Sequence, residues 1–381
     1  MPALANALAS DEFIAPEPQA VTGTSPGTQT TALLIAGHSG QIGSELLRQI
    51  DNRQPELLAR EIYLQVAGRV NRSEVVWSSA QNRGEERWAR TADDWPKILR
   101  HILAGAPVPR LFVDCTAGSN FVDHYPELLR HGIGIVTPNK LANSGSQTDY
   151  TRLKELAHHH GVPYCYETTV GAALPILGPI ADLVRAGDRV RRIEALVSGT
   201  LSFILNRVNN GERFSAAVRN ARARGYTEPY PATDLAGTDS GRKLLILLRE
   251  AGWSWEPEQV KVQSLVPEEL AAESDAERFL AGLAAHDTAW AEHAEAAHRR
   301  SLRLVYLARF DGHSAQVGVT HVAAGDPFAL LAPGENLVRI WTDRYQPVPL
   351  SIAGPGAGPE PTAAGVLTDI LKAARELLHS R

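Results

Sequence analysis

Cysteine is nearly missing from this chain: Cys115 and Cys165 are the two among 381 residues, far apart and outside any CxxC pair. That argues against a disulfide framework and a zinc ribbon, and makes a reducing cytoplasm the expected compartment. No apolar run approaches the ~18 residues that span a bilayer, and the N-terminus lacks the charged, apolar, small-residue order of a secretory signal. No membrane partner is expected. Basic excess is also lacking, since 38 Lys and Arg face 43 Asp and Glu for a net charge of −5. Nucleic-acid binding normally shows a basic stripe, so no nucleic-acid partner is expected either. What the chain does have is length and apolar content, 44% hydrophobic residues. At roughly 150 residues per domain there is room for about two or three domains.

Residues 1–30 read as a flexible tail. From Ala15 to Thr30 the chain is mostly Ala, Pro, Gly, Ser, Thr and Gln, too polar to offset the entropy of ordering, with Phe13 and Ile14 as a short patch that could dock locally. From Thr31 the pattern changes. Ala32–Ala36 is an apolar run stopped by Gly37, the form of a buried parallel strand; Ser44–Ile50 follows at helical spacing. Ile62–Ala67, Leu111–Val113 and Gly134–Thr137 read as further strands, and strands alternating with helices predict a parallel sheet of βαβ units. In the second half, Arg192–Val197, Leu302–Phe310, Gln316–Val322 and Val338–Thr342 read as strands around helices at Leu244–Arg249 and in the Ala-rich segment Asp275–His298. The fold class is therefore α/β: a Rossmann-type dinucleotide-binding domain over 31–165, completed by 352–381, and an α+β domain with a mixed sheet over 166–351. Thr362–Leu378 reads as an amphipathic helix closing the chain against one of them.

Gly37-His38-Ser39-Gly40-Gln41-Ile42-Gly43 joins the first strand to the first helix. Glycines there let backbone N–H groups approach a pyrophosphate at the positive helix end. The spacing is GxxGxxG, so if Gly40 and Gly43 are the second and third glycines of the dinucleotide fingerprint, His38 stands in place of the first. About 20 residues on, an NAD site would place a carboxylate on the ribose. Here stand Arg69 and Arg72, which suit a 2′-phosphate. NADP is expected over NAD, with NAD as the alternative.

The stretch from Gly225 to Arg249 carries most of the chemistry. Pro229 and Pro231 keep Glu228 in a loop, because a residue before proline avoids the helical region. Asp234 or Thr238 is expected to cap the next helix, on which Asp239 and Lys243 share a face at i, i+4. Leu244–Leu248 then runs apolar all round, which implies burial on every side and puts Lys243 at the edge of the interior. A lysine half out of water beside a carboxylate feels opposing pulls on its proton, and can give and take one. The same spacing also describes an ordinary surface ion pair worth about 0.3–0.5 kcal/mol.

Val136–Lys140 (VTPNK), Tyr166–Pro175 (YETTVGAALP), Ser198–Ser202 (SGTLS), the Gly-Tyr-Thr-Glu-Pro to Gly-Arg-Lys stretch, Asp114-Cys115-Thr116 and Gly354–Gly358 (GPGAG) together resemble homoserine dehydrogenase, in order and at family-like spacing from Thr31 to the C-terminus. The resemblance implies reversible reduction of L-aspartate 4-semialdehyde to L-homoserine with NAD(P)H, on the route to threonine, isoleucine and methionine. It implies Lys243 as proton donor and Lys140 at the cofactor–substrate junction, with Glu228 and Asp239 holding the substrate and Asp234 nearby. Gly37, Gly40, Gln41, Ile42, Gly43 and Arg69 form the expected cofactor site, to which the resemblance adds Thr116, Lys140 and Gly358. It further implies a monovalent cation such as sodium on Glu167, Val170, Ala172 and Leu174, a set of hard ligands, and a homodimer formed through the second domain. With no kinase-like half before the dehydrogenase segment, a monofunctional enzyme without threonine feedback is expected. Tyr230, Ala232 and Thr233 replace residues that are often polar or charged in relatives, which predicts a loosely braced loop around Glu228.

Other features carry less. His158-His159-His160 cannot converge on one ion from a helix and reads as a polar helix end. Cys165 reads as a small buried hydrophobe, and Glu85-Glu86-Arg87 and His298-Arg299-Arg300 as solvated faces. Two further readings share the motifs: a binding protein that kept the nucleotide site and lost catalysis, and an NADP-dependent dehydrogenase acting on another small amino acid or semialdehyde.

Overall fold

The computed structural model describes residues 27–78, 85–91, 93–104 and 108–379. Most of the expected tail, with its Phe13–Ile14 patch, lies outside these residues; its last two, Gln29 and Thr30, already belong to the first strand.

The apolar runs of the first half build one sheet. In chain order the elements are β1 (Gln29–Ala36), α1 (Gln41–Leu58), β2 (Ile62–Val70), β3 (Glu74–Ser78), β4 (Glu85–Ala89), α2 (Trp95–Ala104), β5 (Arg110–Asp114), α3 (Tyr125–Arg130), β6 (Gly134–Val136), α4 (Leu141–Ser144), α5 (Gln147–His159) and β7 (Tyr164–Cys165). The strands lie in the order β4-β3-β2-β1-β5-β6-β7. From β2 to β7 neighbours run parallel, while β3 and β4 add an antiparallel edge. Chain order reverses at β1, with β2 on one side and β5 on the other. In open α/β sheets that switch point, at the carboxyl ends of the strands, is where ligands bind. Glu85, Glu86 and Arg87 are exposed, as a solvated face requires, but they form an edge strand.

The second half forms α6 (Leu177–Arg185), β8 (Val190–Leu196), α7 (Gly199–Asn209), α8 (Phe214–Ala223), α9 (Ala232–Leu235), α10 (Thr238–Glu250), β9 (Val260–Val262), α11 (Ala276–Gly282), α12 (Asp287–Arg299), β10 (Leu302–Phe310), β11 (Ala315–Ala323), α13 (Pro327–Leu330), β12 (Glu335–Thr342), β13 (Leu350–Pro355) and α14 (Pro359–His379). Its sheet runs β13-β12-β8-β10-β11-β9 and is mixed, because β9 pairs parallel with β11 while the other neighbours are antiparallel. The Ala-rich segment Asp275–His298 is helical as expected, in two pieces joined by a tighter turn at Leu283–His286, and Asp287 at the start of the second accepts from the Ser215 N–H and hydroxyl (both 2.8 Å).

The closing helix α14 crosses back. Ala363, Val366, Ile370 and Ala373 are buried with Leu33, Leu46 and Phe112 in the core of the first sheet. Residues 352–355, expected on that side too, pair instead with β12 in the second sheet. The return crossing therefore begins after Pro355.

Candidate active site

At the β1–α1 turn the glycines divide the work differently from the sequence expectation. Gly37, not His38, takes the left-handed backbone (φ 76°). A Cβ on Gly37 would lie 2.9 Å from the Cys115 carbonyl, and one on Gly43 would lie 2.2 Å from the Gly37 oxygen. Gly37 is thus the tight-turn glycine and Gly43 the helix-packing one, with one extra residue between them. The N-terminus of α1 carries no acidic residue and no side-chain cap, so the N–H groups of Gln41, Ile42 and Gly43 are left for an anion. Arg69 closes the end of β2 but pairs with Glu85, which also holds Arg87. The His38 Nε2 is buried and finds no partner among the described residues; burial first, then Arg69, keeps that imidazole below its ordinary proton affinity.

Thr116 lies beside the turn, its methyl 3.1 Å from where a Gly37 Cβ would be. Both its N–H (2.9 Å) and hydroxyl (2.6 Å) donate to buried Asp114. The other Asp114 oxygen accepts from Tyr125 (2.6 Å) and from the Asn139 amide (3.4 Å). Burial raises the Asp114 carboxyl in spite of these donors. Thr137 donates to the Asp114 carbonyl (2.9 Å) and accepts from the Asn139 N–H (2.9 Å). This network fixes the turn that ends in Lys140 at the start of α4. Asp114, central to it, had no role read from sequence; the β5-terminal carboxylate followed by Cys-Thr was the available signal.

Lys140 meets the second sheet's helix α10. The Asp239 carboxylate bridges two ammonium groups, Lys140 at 3.4 Å and Lys243 at 2.9 Å. Lys243 also donates to the Val197 carbonyl at the end of β8 (2.6 Å). An ammonium has three N–H donors; two are spent, and one is left for a ligand. Lys243 is only 13% exposed, whereas 56% of the Asp239 side chain still meets solvent. Burial pushes the Lys140 ammonium below the ordinary lysine range, Asp239 opposes this and Lys243 adds to it. Burial would lift the Asp239 carboxyl, but Lys243 and Lys140 overcome it and hold the group well below the usual range. With one lysine on each oxygen, Asp239 sets the two amines and keeps about two of its four acceptor sites open toward solvent.

Neither Asp234 nor Thr238 caps α10. The N-cap is Gly237 in the left-handed region (φ 71°), without a side-chain bond. Asp234 braces the loop instead, accepting from the Glu228 N–H (2.9 Å) and the Thr200 hydroxyl (3.2 Å). Burial raises its carboxyl against those two donors. Glu228 is exposed on this loop. The loop is better braced than expected, because the Tyr230 hydroxyl donates to the Glu273 carbonyl and its ring packs on Phe279. Thr200 and the Val197 carbonyl were missed as site elements; SGTLS held the first, but a backbone oxygen has no residue signature.

The expected cation loop folds under α14. Both Glu167 oxygens accept N–H groups at the start of α6, from Ile176 (2.7 Å), Leu177 (2.6 Å) and Gly178 (2.8 Å). Gly171 and Ala172 are both left-handed (φ 78° and 54°). Among the described residues no donor reaches the carbonyls of Val170, Ala172 or Leu174. No group of three or more His, Cys, Asp and Glu side chains gathers as a metal site among the described residues, and His158–His160 end α5 before left-handed Gly161. Gly358 (φ 114°) opens α14, its carbonyl accepting from the Thr362 hydroxyl (2.7 Å).

Comparison with known proteins fits this division. A family model described as Homoserine dehydrogenase matches residues 175–371, and one described as Homoserine dehydrogenase, NAD binding domain, matches residues 39–167. The chain belongs to the homoserine dehydrogenase family. A homoserine dehydrogenase of Schizosaccharomyces pombe is 38% identical over 80% of this chain and 81% of its own length. The chloroplastic bifunctional aspartokinase/homoserine dehydrogenase 2 of Zea mays is 38% identical over 91% of this chain, which spans 39% of that relative. A hyperthermophilic archaeal homoserine dehydrogenase solved in complex with NADPH shares the fold at 22% identity, with a TM-score of 0.68 over 91% of this chain and 98% of that one. Among the described residues no helix is long and apolar enough to cross a membrane.

Proposed function

We propose that this homoserine dehydrogenase family member reduces L-aspartate 4-semialdehyde to L-homoserine, reversibly, with NADPH. The observation that carries this reading is the Lys140–Asp239–Lys243 bridge, formed where the phosphate-binding sheet meets the mixed sheet. The nicotinamide, when bound, supplies the hydride for the aldehyde carbon. Lys243 offers its remaining N–H to the aldehyde oxygen as negative charge develops there, and gives the proton. Lys140 adds positive charge on the other side of Asp239. Glu228, exposed on a loop braced by Asp234 and Thr200, accepts the substrate ammonium. The uncapped N-terminus of α1, with Gly37, Gly40, Gln41, Ile42 and Gly43, suits the cofactor pyrophosphate, and Thr116 and Gly358 border it.

Glu167 with the carbonyls of Val170, Ala172 and Leu174 is the proposed seat of a monovalent cation such as sodium. A carboxylate has about four acceptor sites, and the three N–H groups on Glu167 leave one. Three unused carbonyls complete an all-oxygen set suited to a hard ion. A homodimer through the second domain is part of the same proposal, and Leu330, 69% exposed on α13, is an apolar side chain such a contact would cover. The free cysteines suit the cytoplasm.

The test is NADPH oxidation with aspartate semialdehyde against a panel of small aldehydes. Aspartate semialdehyde should be the preferred substrate; no turnover would favour a binding protein, and another preferred aldehyde a sister dehydrogenase. In the same assay Arg69→Ala with Arg72→Ala should raise the NADPH KM about tenfold, the effect of losing ~1.4 kcal/mol, and leave NADH nearly unchanged. An unchanged NADPH KM removes both arginines from the 2′-phosphate site.

A further inference from the structure

Arg249 stands near the end of α10, the helix that carries Asp239 and Lys243. It is 4% exposed, and among the described residues no carboxylate lies within ion-pair distance of it. A buried cation in that position costs free energy unless its donors are used. Nε finds no partner among the described residues, while the two Nη groups donate to backbone oxygens, two of them across the boundary between the two sheets. Nη1 donates to the Asn143 carbonyl (2.8 Å), and Nη2 to the carbonyls of Gly145 (2.7 Å) and Trp255 (2.9 Å). The guanidinium also lies over the Tyr150 ring, 5.2 Å from its centre.

Asn143 and Gly145 belong to, and follow, α4, which is a single turn (Leu141–Ser144). One turn has little stability of its own and needs external anchors. It starts at Lys140, whose carbonyl accepts from the N–H groups of Asn143 (3.1 Å) and Ser144 (2.9 Å). Tyr164 donates to the Asn143 side-chain oxygen (2.8 Å) and pins the turn from the first sheet. Arg249 therefore grips one end of the turn whose other end is Lys140. At about 1.5 Å per residue, α10 acts as a rigid ruler of roughly 15 Å between Asp239, which meets Lys140, and Arg249, which holds the far end of the same turn.

We infer that Arg249 is a positioning residue: by clamping the α4 turn to α10 it holds Lys140 against the Asp239–Lys243 pair. This rests on the reading of Lys140 as part of the site. An apolar side chain would fill the same space with less desolvation; what a planar fork adds is the simultaneous grip on Asn143 and Gly145. Lysine keeps the charge and one bond but has no fork.

The test is a double-mutant cycle on the full chain, reading kcat and KM for NADPH oxidation, with thermal unfolding recorded beside it. Arg249→Lys and Tyr164→Phe are each made alone and together with Lys140→Ala. Lys140→Ala should lower kcat about a hundredfold, the scale of a group acting on the developing charge. Arg249→Lys should lower kcat about tenfold with the NADPH KM within twofold, and Tyr164→Phe about threefold in the same pattern. In the Lys140→Ala background each should change kcat by less than twofold, because residues acting through one partner are not additive. A stability effect alone would give the same factor in both backgrounds. A factor that persists without Lys140, or an unchanged kcat in the single variants, overturns the inference. Should Arg249→Lys not fold, Arg249→Gln, which keeps an amide donor and removes the buried charge, takes its place in the same comparison, and an equal factor with and without Lys140 overturns the inference. Undiminished turnover in Lys140→Ala overturns the reading of Lys140 itself, and the inference with it.

Discussion

Lys243→Ala is expected to lower the turnover of aldehyde reduction by about three orders of magnitude, within the 10²–10⁴ range typical of a positioned acid and oxyanion donor, while NADPH affinity stays within a few fold. The size follows from what the amine does. Two of its donors are fixed on Val197 and Asp239, so the third is aimed without further ordering, and the side chain is nearly dry. Alanine leaves the aldehyde oxygen without its nearest positive charge and without a proton source. Cofactor affinity should survive, because the phosphate turn belongs to the other sheet. Steady-state rates and a fluorescence titration of NADPH separate the two effects. Near-normal turnover would remove Lys243 from the chemistry.

Asp239→Asn is expected to cost about a hundredfold in kcat and to change the pH profile as well. Asparagine keeps the shape but loses the charge that orients both amines. The sign of the pH effect is determined by Lys140. Burial already lowers the proton affinity of that amine, and Asp239 is the main opposing influence. Removing the carboxylate lets Lys140 lose its proton at lower pH, so the alkaline fall in reduction rate moves toward neutrality. A profile of kcat from acid to alkaline pH checks it. An alkaline limb that stays in place, or moves upward, contradicts the bridging role.

Much of this was legible in the residues. The run Ala32–Ala36 ended by Gly37 marked the central strand, and the i, i+4 spacing of Asp239 and Lys243 before an apolar block marked a carboxylate–amine pair at the edge of the core. What escaped has physical reasons. β4 is a short edge strand whose charged residues Glu85, Glu86 and Arg87 read as surface, and β3 is a five-residue strand between it and β2. The extra residue of the glycine turn cannot be assigned from spacing, because whether Gly37 or His38 turns left-handed depends on the crowding of Cys115 against it. The meeting of Lys140 with Asp239 joins two sheets and leaves no local periodicity. Acceptors such as the Val197, Asn143 and Gly145 carbonyls are backbone atoms, so any residue type could stand there. Asp234 looked like a helix cap because of its position, but tertiary donors from Thr200 and Glu228 compete for the same oxygens.

A crystal structure of the chain with NADP and homoserine addresses the placement of the amines directly. The Lys243 nitrogen should lie within about 2.6–3.2 Å of the homoserine hydroxyl, with the nicotinamide against the carbinol carbon. A hydroxyl bound away from Lys243, with that amine contacting only water, Asp239 and Val197, would contradict the account.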